Sequence, residues 1–236
     1  VNESPVDKRM TLTAYADVAI NKPGDHHRHP AFSRMFLQTA ALDQGRRLVC
    51  RRRPRSPDET WPVLVQACVG ARPGELSWET SRREFVGRGR SLRSAHHLHE
   101  GLQGGVGNVL DPCLAQRVAW EVSAGGRRTL AWITAVGNDE AEAIASLGGY
   151  TNLDGLPASL EQSEIYTRSR LARFGLDAEG LMTGQSLLSR IQQAHSVGGR
   201  LDRRRLWGHG VSGDRRLLLF RCHGEGANLL SLVLKL

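Results

Sequence analysis

The sequence predicts a mainly β fold with a helical tail: a large antiparallel sandwich first, helices after it. Three observations carry this. From Met10 to Ile20, the apolar residues Met10, Leu12, Ala14, Ala16, Val18 and Ile20 alternate with Thr11, Thr13, Tyr15 and Asp17, the period of a strand with one buried face. Val118, Trp120 and Val122 alternate in the same way. Beyond residue 136 the apolar spacing lengthens to that of helices, punctuated by capping residues and glycines.

Each element follows in order. Leu48-Val49-Cys50 and the run Val63 to Val69 read as shorter strands, bounded by Arg/Pro/Ser and Gly/Pro loops. Val118 to Val122, the Gly125-Gly126 turn, and Leu130, Trp132 and Thr134 predict a hairpin with its tryptophans facing inward. Asn138 is placed to cap a first helix, with Asp139 and Glu140 at its positive end and Gly148-Gly149 closing it. Pro157 opens a second, carrying Leu160, Tyr166, Leu171 and Phe174 up to Gly175. Asp177 caps a third, with Leu181, Leu188, Ile191 and His195 on one face before Gly198-Gly199. Leu217 to Cys222 is a new apolar stretch, and Ala227 to Leu236 reads as the first turns of another helix.

The 236 residues are 40% hydrophobic and 24% charged, values of a folded chain with one large domain or two small ones. No apolar run reaches the ~18 residues a membrane-spanning helix needs. Val1-Asn2-Glu3-Ser4 lacks the apolar core of a signal peptide. With no initiator Met and an apolar tail, the chain is expected to be part of something longer.

Charge is the loudest compositional feature. The formal net charge is +8 and the isoelectric point about 10.0. Lys occurs only at Lys8, Lys22 and Lys235, so 29 of the 32 cations are arginine. Arg51-Arg52-Arg53 and Arg203-Arg204-Arg205 allow an arginine-rich nucleic-acid-binding protein as an alternative. The arginines are spread over the whole chain, however, with few aromatics between them. That favours compositional background over a nucleic-acid face.

Cys50, Cys68, Cys113 and Cys222 form no C-x-x-C pair, which excludes zinc-ribbon and thioredoxin spacing and leaves free thiols. His26-His27-x-His29 and His96-His97-x-His99 share a spacing that raises a metal site, but no acidic partners stand near them in sequence. No metal or other cofactor is expected.

Five segments then resemble one family. They are His29-Pro-Ala-Phe-Ser-Arg-Met-Phe-Leu-Gln-Thr39; Arg52-Arg-Pro-Arg-Ser-Pro-Asp-Glu59; Glu79-Thr-Ser-Arg-Arg-Glu-Phe-Val-Gly-Arg-Gly-Arg90; Gly105-Val-Gly-Asn-Val-Leu-Asp-Pro112; and Leu206-Trp-Gly-His-Gly-Val-Ser-Gly-Asp214. In this order they resemble the carboxy-terminal part of bacterial cyclic β-1,2-glucan synthases, within the glycoside hydrolase family 94 phosphorylases, formerly glycosyltransferase family 36. The resemblance implies a β-supersandwich, a helical linker and an (α/α)6 barrel. On this plan residues 1–136 are a carbohydrate-binding-like sandwich, incomplete at its N-terminal side. Residues 137–204 are the linker, and 205–236 begin a truncated catalytic barrel. The implied chemistry is inverting phosphorolysis of β-glucosidic bonds, with phosphate as co-substrate and a barrel carboxylic acid protonating the leaving oxygen. That acid is expected beyond Leu236, so no catalytic residue is assigned.

The candidate substrate-binding residues are Arg88, Arg90, Trp207, Ser212 and Asp214. The guanidinium forks of Arg88 and Arg90 can hold a carboxylate or a sugar hydroxyl; ion pairs to Asp111 or Glu79 inside the sandwich are the plainer expectation. Trp207 can stack on a sugar ring, against the plainer reading of a buried linker tryptophan. Asp214, with Ser212, matches the Ser-Gly-Asp turn at the barrel's entrance, where a carboxylate bonds nearby amides. The Arg52 to Glu59 segment reads as a solvated, self-paired loop. Two departures stand out: Arg215-Arg216 follow the turn where relatives carry Leu-Pro, and Ser81 stands where the family tends to have Asp. The implied partners are β-1,2-glucan or a β-glucooligosaccharide, the missing barrel, and a second copy in a homodimer. The implied location is the cytoplasm, tied to the inner membrane only through a longer parent. The expected function is the non-catalytic sandwich and linker of such an enzyme; a free-standing carbohydrate-binding module is the other alternative.

Overall fold

Among the described residues, seven strands build two antiparallel sheets. In a computed structural model, which describes residues 1–98, 101–193, 204–208 and 210, the strands are β1 Lys8–Asp17, β2 Leu37–Leu42, β3 Arg47–Arg52, β4 Val63–Val69, β5 Leu76–Ser81, β6 Pro112–Val122 and β7 Ala131–Gly137, with the short helices α1 Pro23–Arg28 and α2 Pro30–Arg34 between β1 and β2. One sheet has the order β1-β6-β5 and the other β2-β3-β4-β7. The chain divides into two compact units, Val1–Pro157 and Ala158–Leu236, and both sheets lie in the first.

Val63 to Val69 is apolar on both faces because β4 sits inside its sheet, between β3 and β7. Leu64, Gln66 and Cys68 face the other sheet, while Val63, Val65 and Ala67 pack beneath the helix α4, Glu140–Ala145, with its Ala143. Leu114 and Val118 of β6 are fully buried between the sheets, each contributing about 1.5–3 kcal/mol through burial. The opposite face of β6, with Cys113 and Ala115, packs under Phe85, Val86, Ala95 and Leu102. Those covering residues come from the helix α3, Arg82–Val86, and the irregular segment after it.

Polar ties cross the apolar layer. Gln66 donates to Gln116 at 3.0 Å, and Gln116 donates onward to the carbonyls of Gly45 and Arg46 at 2.6 and 3.1 Å. Thr39 and Thr80 hydroxyls meet at 2.6 Å, joining β2 to β5. In the β2–β3 turn, Gly45 has φ +81° and lies so close to the Trp78 ring that a Cβ would fall 1.9 Å from it. Only glycine fits there.

The sandwich expected from alternation and composition is therefore present, followed by helices. The expected Trp120–Trp132 hairpin is not. β6 pairs with β1 and β5, while β7 pairs with β4 in the other sheet. Gly125-Gly126 does turn the chain, with Gly126 donating to the Ser123 carbonyl at 2.9 Å, but the segment beyond it crosses between sheets. The tryptophans still share one cluster across the interlayer. A second correction concerns β1, whose apolar alternation predicts a buried face: Met10 is 36% and Leu12 47% exposed. β1 is an edge strand, and the facing sheet does not reach over these residues.

The helical signals sit close to where the sequence put them. Asp139, one residue after Asn138, caps α4 by accepting from the Glu142 amide at 2.8 Å. Glu142 in turn accepts from the Asn138 amide, a reciprocal cap. The helix α5, Leu156–Arg173, stops before Gly175, and Asp177 accepts from the Gly180 amide at 2.8 Å at the start of α6, Ala178–Gln193. A short α7 spans Arg204–Trp207. The expected elements from Leu217 onward, and most of the expected barrel start (205–236), lie outside the described residues. No helix among the described residues is long and apolar enough to cross a membrane.

Candidate functional site

Four of the five quoted segments meet at one end of the sandwich. Strand direction explains why. The end of β1 pairs with the start of β6 (Asp17 with Cys113), the end of β5 with the same point (Ser81 with Pro112), and the start of β2 with the end of β3 (Leu37 with Arg52). Segments far apart in sequence are thus delivered to one rim.

Three polar clusters hold that rim. The first is built on Glu79, which is buried: its carboxylate accepts from the amides of Thr80 and Ser81 at 2.9 and 2.8 Å, and from Gly105 at 3.4 Å. Thr80 donates to the Gly105 carbonyl, and Gly107 exchanges backbone bonds with Thr39. The segment from Gly104 to Gly107 is therefore laced to both sheets.

The second cluster centres on Asp111, which accepts from Arg34 at 2.6 Å and from Arg82 at 3.3 Å. Arg82 also reaches Asp17 at 3.4 Å, and Tyr15 donates to Asp17 at 2.7 Å while its ring stacks on Phe85. Burial, then the hydrogen bond to Asp17, raises the Tyr15 hydroxyl well above its ordinary value.

The third cluster is Arg52. Its guanidinium lies between the rings of Phe36 and Trp61, 5.0 and 4.7 Å from their centroids, and donates to the carbonyls of Ile20 and Ser33. Beside Trp61 an open apolar groove of about 310 Å³ runs between Ile20, Pro62, Leu64 and Val136. A more polar cleft of about 480 Å³, near Arg72, Glu121, Arg127 and Arg128, lies at the opposite end of the sandwich.

Of the predicted site residues, Arg88 and Arg90 fall in the first unit and Trp207 in the second. Arg88 and Arg90 are exposed on the turn after α3, where Gly87 and Gly89 take left-handed backbone conformations. They project from a tight loop at the same rim. Their expected ion pairs are not made: Asp111 is held by Arg34 and Arg82, and Glu79 by backbone amides. Trp207 closes α7 and is 62% exposed, against the expectation of a buried linker tryptophan. Ser212 and Asp214 lie outside the described residues, as do Arg215 and Arg216. Ser81 caps α3, its hydroxyl accepting from the Glu84 amide; Asp would serve equally well.

In the loop read as self-paired, Arg55 does bind Glu59 through side chain and amide. Arg52, however, is buried and belongs to the core of the rim. Sequence reasoning missed this cage and Trp61. An arginine on a strand end between two aromatics in sequence was the available signal.

The polar groups of the rim are largely engaged with one another. Glu79 and Asp111 are spent on internal partners. Cys50, Cys68 and Cys113 are free and buried, and burial pushes the Cys50 thiol up to about 12 and Cys68 up to about 11. They are not thiolate nucleophiles at neutral pH. Among the described residues, no three His, Cys, Asp or Glu side chains gather as a metal site.

The architecture is a two-sheet antiparallel sandwich, with four of the motif segments meeting at one rim, followed by helices. The family model "Glycosyl hydrolase 94, supersandwich domain" matches residues 1–153, and the chain belongs to that family. It is also 25% identical, over 240 residues, to the cyclic beta-(1,2)-glucan synthase NdvB of Rhizobium meliloti (strain 1021). That match covers 96% of this chain and 8% of the relative, so the chain spans a small part of the relative's length. The resemblance read from the five segments is borne out.

Proposed function

We propose that the chain is the non-catalytic sandwich and linker portion of a cyclic β-1,2-glucan synthase-like, family 94 phosphorylase-type enzyme. Its role is to form one wall of the glucan site and to support β-glucan binding. The observation that carries this reading is the gathering of four motif segments at one rim, with the exposed Arg88 and Arg90 beside them. Buried Glu79 and half-buried Asp111 act as scaffold, since each is engaged by amides or guanidinium groups. Arg88 and Arg90 are exposed and in no ion pair among the described residues, which suits them on this reading to donate to sugar hydroxyls. Trp207, Ser212 and Asp214 are, on this reading, further substrate-binding candidates. Phosphate enters as co-substrate, and a barrel acid protonates the leaving oxygen.

The arginine excess fits the same reading. Arg34, Arg47, Arg55, Arg82 and Arg128 are each engaged by a carboxylate, which disperses positive charge where a nucleic-acid face would concentrate it.

The test is phosphorolysis. Incubating the chain with β-1,2-glucooligosaccharides and inorganic phosphate is expected to release no glucose 1-phosphate. Sustained release from this chain alone would overturn the non-catalytic assignment.

A further inference from the structure

We propose that Phe32 is a stacking platform for the glucan, receiving the apolar face of a β-glucopyranosyl ring while Arg88 and Arg90 bind hydroxyls. This rests on the glucan reading and adds a residue that selects gluco-configured sugar.

Exposure sets Phe32 apart. Among the described residues of the first unit, every other Phe, Trp or Tyr is buried or half-buried. Tyr15 stacks on Phe85, Phe36 and Trp61 enclose Arg52, and Trp120 and Trp132 share an interlayer cluster. Phe32 is 54% exposed, and Met35, about one helical turn on, is 53% exposed. Residues three apart on a helix are neighbours, so Met35 widens the apolar surface.

A single exposed apolar residue is ordinary; one held this firmly is less so. α2 is five residues long, yet it is fixed just beyond Phe32. The buried Ser33 accepts from the Asn21 side-chain amide at 2.8 Å through its hydroxyl and from Arg52 at 2.9 Å through its carbonyl. Arg34 binds Asp111 at 2.6 Å. The Phe32 ring meets Phe36 edge to face, with centroids 5.1 Å apart and planes at 78°. Such a contact covers at most one face of Phe32. The ring is ordered before any ligand arrives, which lowers the entropy cost of binding.

The same helix is tied to the arginine turn. Arg34 and Arg82 share the Asp111 carboxylate, and the Arg82 amide donates to the Asp111 carbonyl at 2.8 Å. Arg82 opens α3, and Arg88 and Arg90 follow directly after it. The segments that carry Phe32, the two arginines and Asp111 thus converge on one carboxylate.

The class of sugar follows from this pairing of groups. In a β-linked glucopyranose every ring substituent is equatorial, so axial C–H bonds cover both faces and hydroxyls line the edge. Those C–H groups suit the negative face of an aromatic ring, and the edge hydroxyls suit guanidinium donors. An axial hydroxyl, as in galactose, would stand between the sugar and the ring.

Calorimetric titration of the full chain with linear β-1,2-glucooligosaccharides tests the proposal. Phe32→Ala is expected to weaken binding about tenfold with an unchanged urea midpoint. Phe32→Leu keeps apolar bulk without the π face and should weaken it similarly, whereas Phe32→Trp should retain it. A β-linked galactooligosaccharide should bind the wild type more weakly than the glucan, and Phe32→Leu should narrow that gap. Saturation of the aromatic protons should pass to the C–H protons of the glucan in the wild type and fall sharply in Phe32→Leu. Should Phe32→Ala shift the midpoint, Phe32→Leu and the saturation transfer decide. Wild-type affinity in Phe32→Leu would overturn the proposal and leave the glucan reading standing; no glucan binding by the wild type would overturn both.

Discussion

Gly105 lies against the Glu79 carboxylate so closely that a Cβ on Gly105 would fall 2.5 Å from the Oε1 atom. That oxygen is already fixed by the amides of Thr80 and Ser81, so it cannot retreat without losing them. Gly105→Ala is therefore expected to destabilise the sandwich by about 2 kcal/mol or more, through a displaced, buried carboxylate. Urea unfolding measures this; an unchanged midpoint would mean that the Gly104 to Gly107 segment is not anchored through Glu79.

The Gln66–Gln116 pair is a polar tie in an otherwise apolar interlayer. Gln116→Ala leaves the Gly45 and Arg46 carbonyls and the Gln66 amide without their partner, besides opening a cavity. A loss of about 2–4 kcal/mol is expected. Gln66→Ala should cost less, because it orphans a single acceptor on Gln116. Equal losses in the two variants would contradict this division.

Acid should weaken the fold in a defined window. The Arg55 side chain, and then its backbone amide, hold the Glu59 carboxyl down to about 2 from an ordinary 4.5. Arg128 lowers Glu75 in the same direction through a paired hydrogen bond. A carboxyl depressed in the folded state binds protons more readily once unfolded. Its contribution is complete above the ordinary value and fades as pH falls from 4.5 through about 2. Carbon-detected NMR titration of Glu59 should give a midpoint near 2, returning toward the ordinary value in Arg55→Gln. An ordinary midpoint in the wild type would show that the pair does not form.

How much of this was legible beforehand varies by element, for physical reasons. β4 was plain because a strand buried on both faces needs an unbroken apolar run. β1 was found by alternation, but alternation reports which residues share a face, not whether another layer covers it. The false hairpin arose because a Gly-Gly turn marks a reversal without saying which sheet the chain rejoins. Helix caps were legible to within one residue, since they depend on neighbours in sequence. The rim was legible only as family segments. Their meeting through Glu79 and Gly105, or Arg34 and Asp111, depends on pairings across 26 and 77 residues, which no local pattern encodes.

Arg88 and Arg90 should separate binding from stability. Both are exposed and contribute nothing to the polar clusters of the rim. The double variant Arg88→Ala, Arg90→Ala is expected to leave the stability within about 0.5 kcal/mol of wild type while weakening retention on immobilised β-1,2-glucan. A matching loss of stability would make the two arginines structural.

Calorimetric titration of the chain with linear β-1,2-glucooligosaccharides tests the central claim most directly. Support for glucan binding predicts a saturable heat that persists at physiological salt, with none for duplex DNA under the same conditions. No heat with the glucan, together with salt-resistant binding of the duplex, would contradict it.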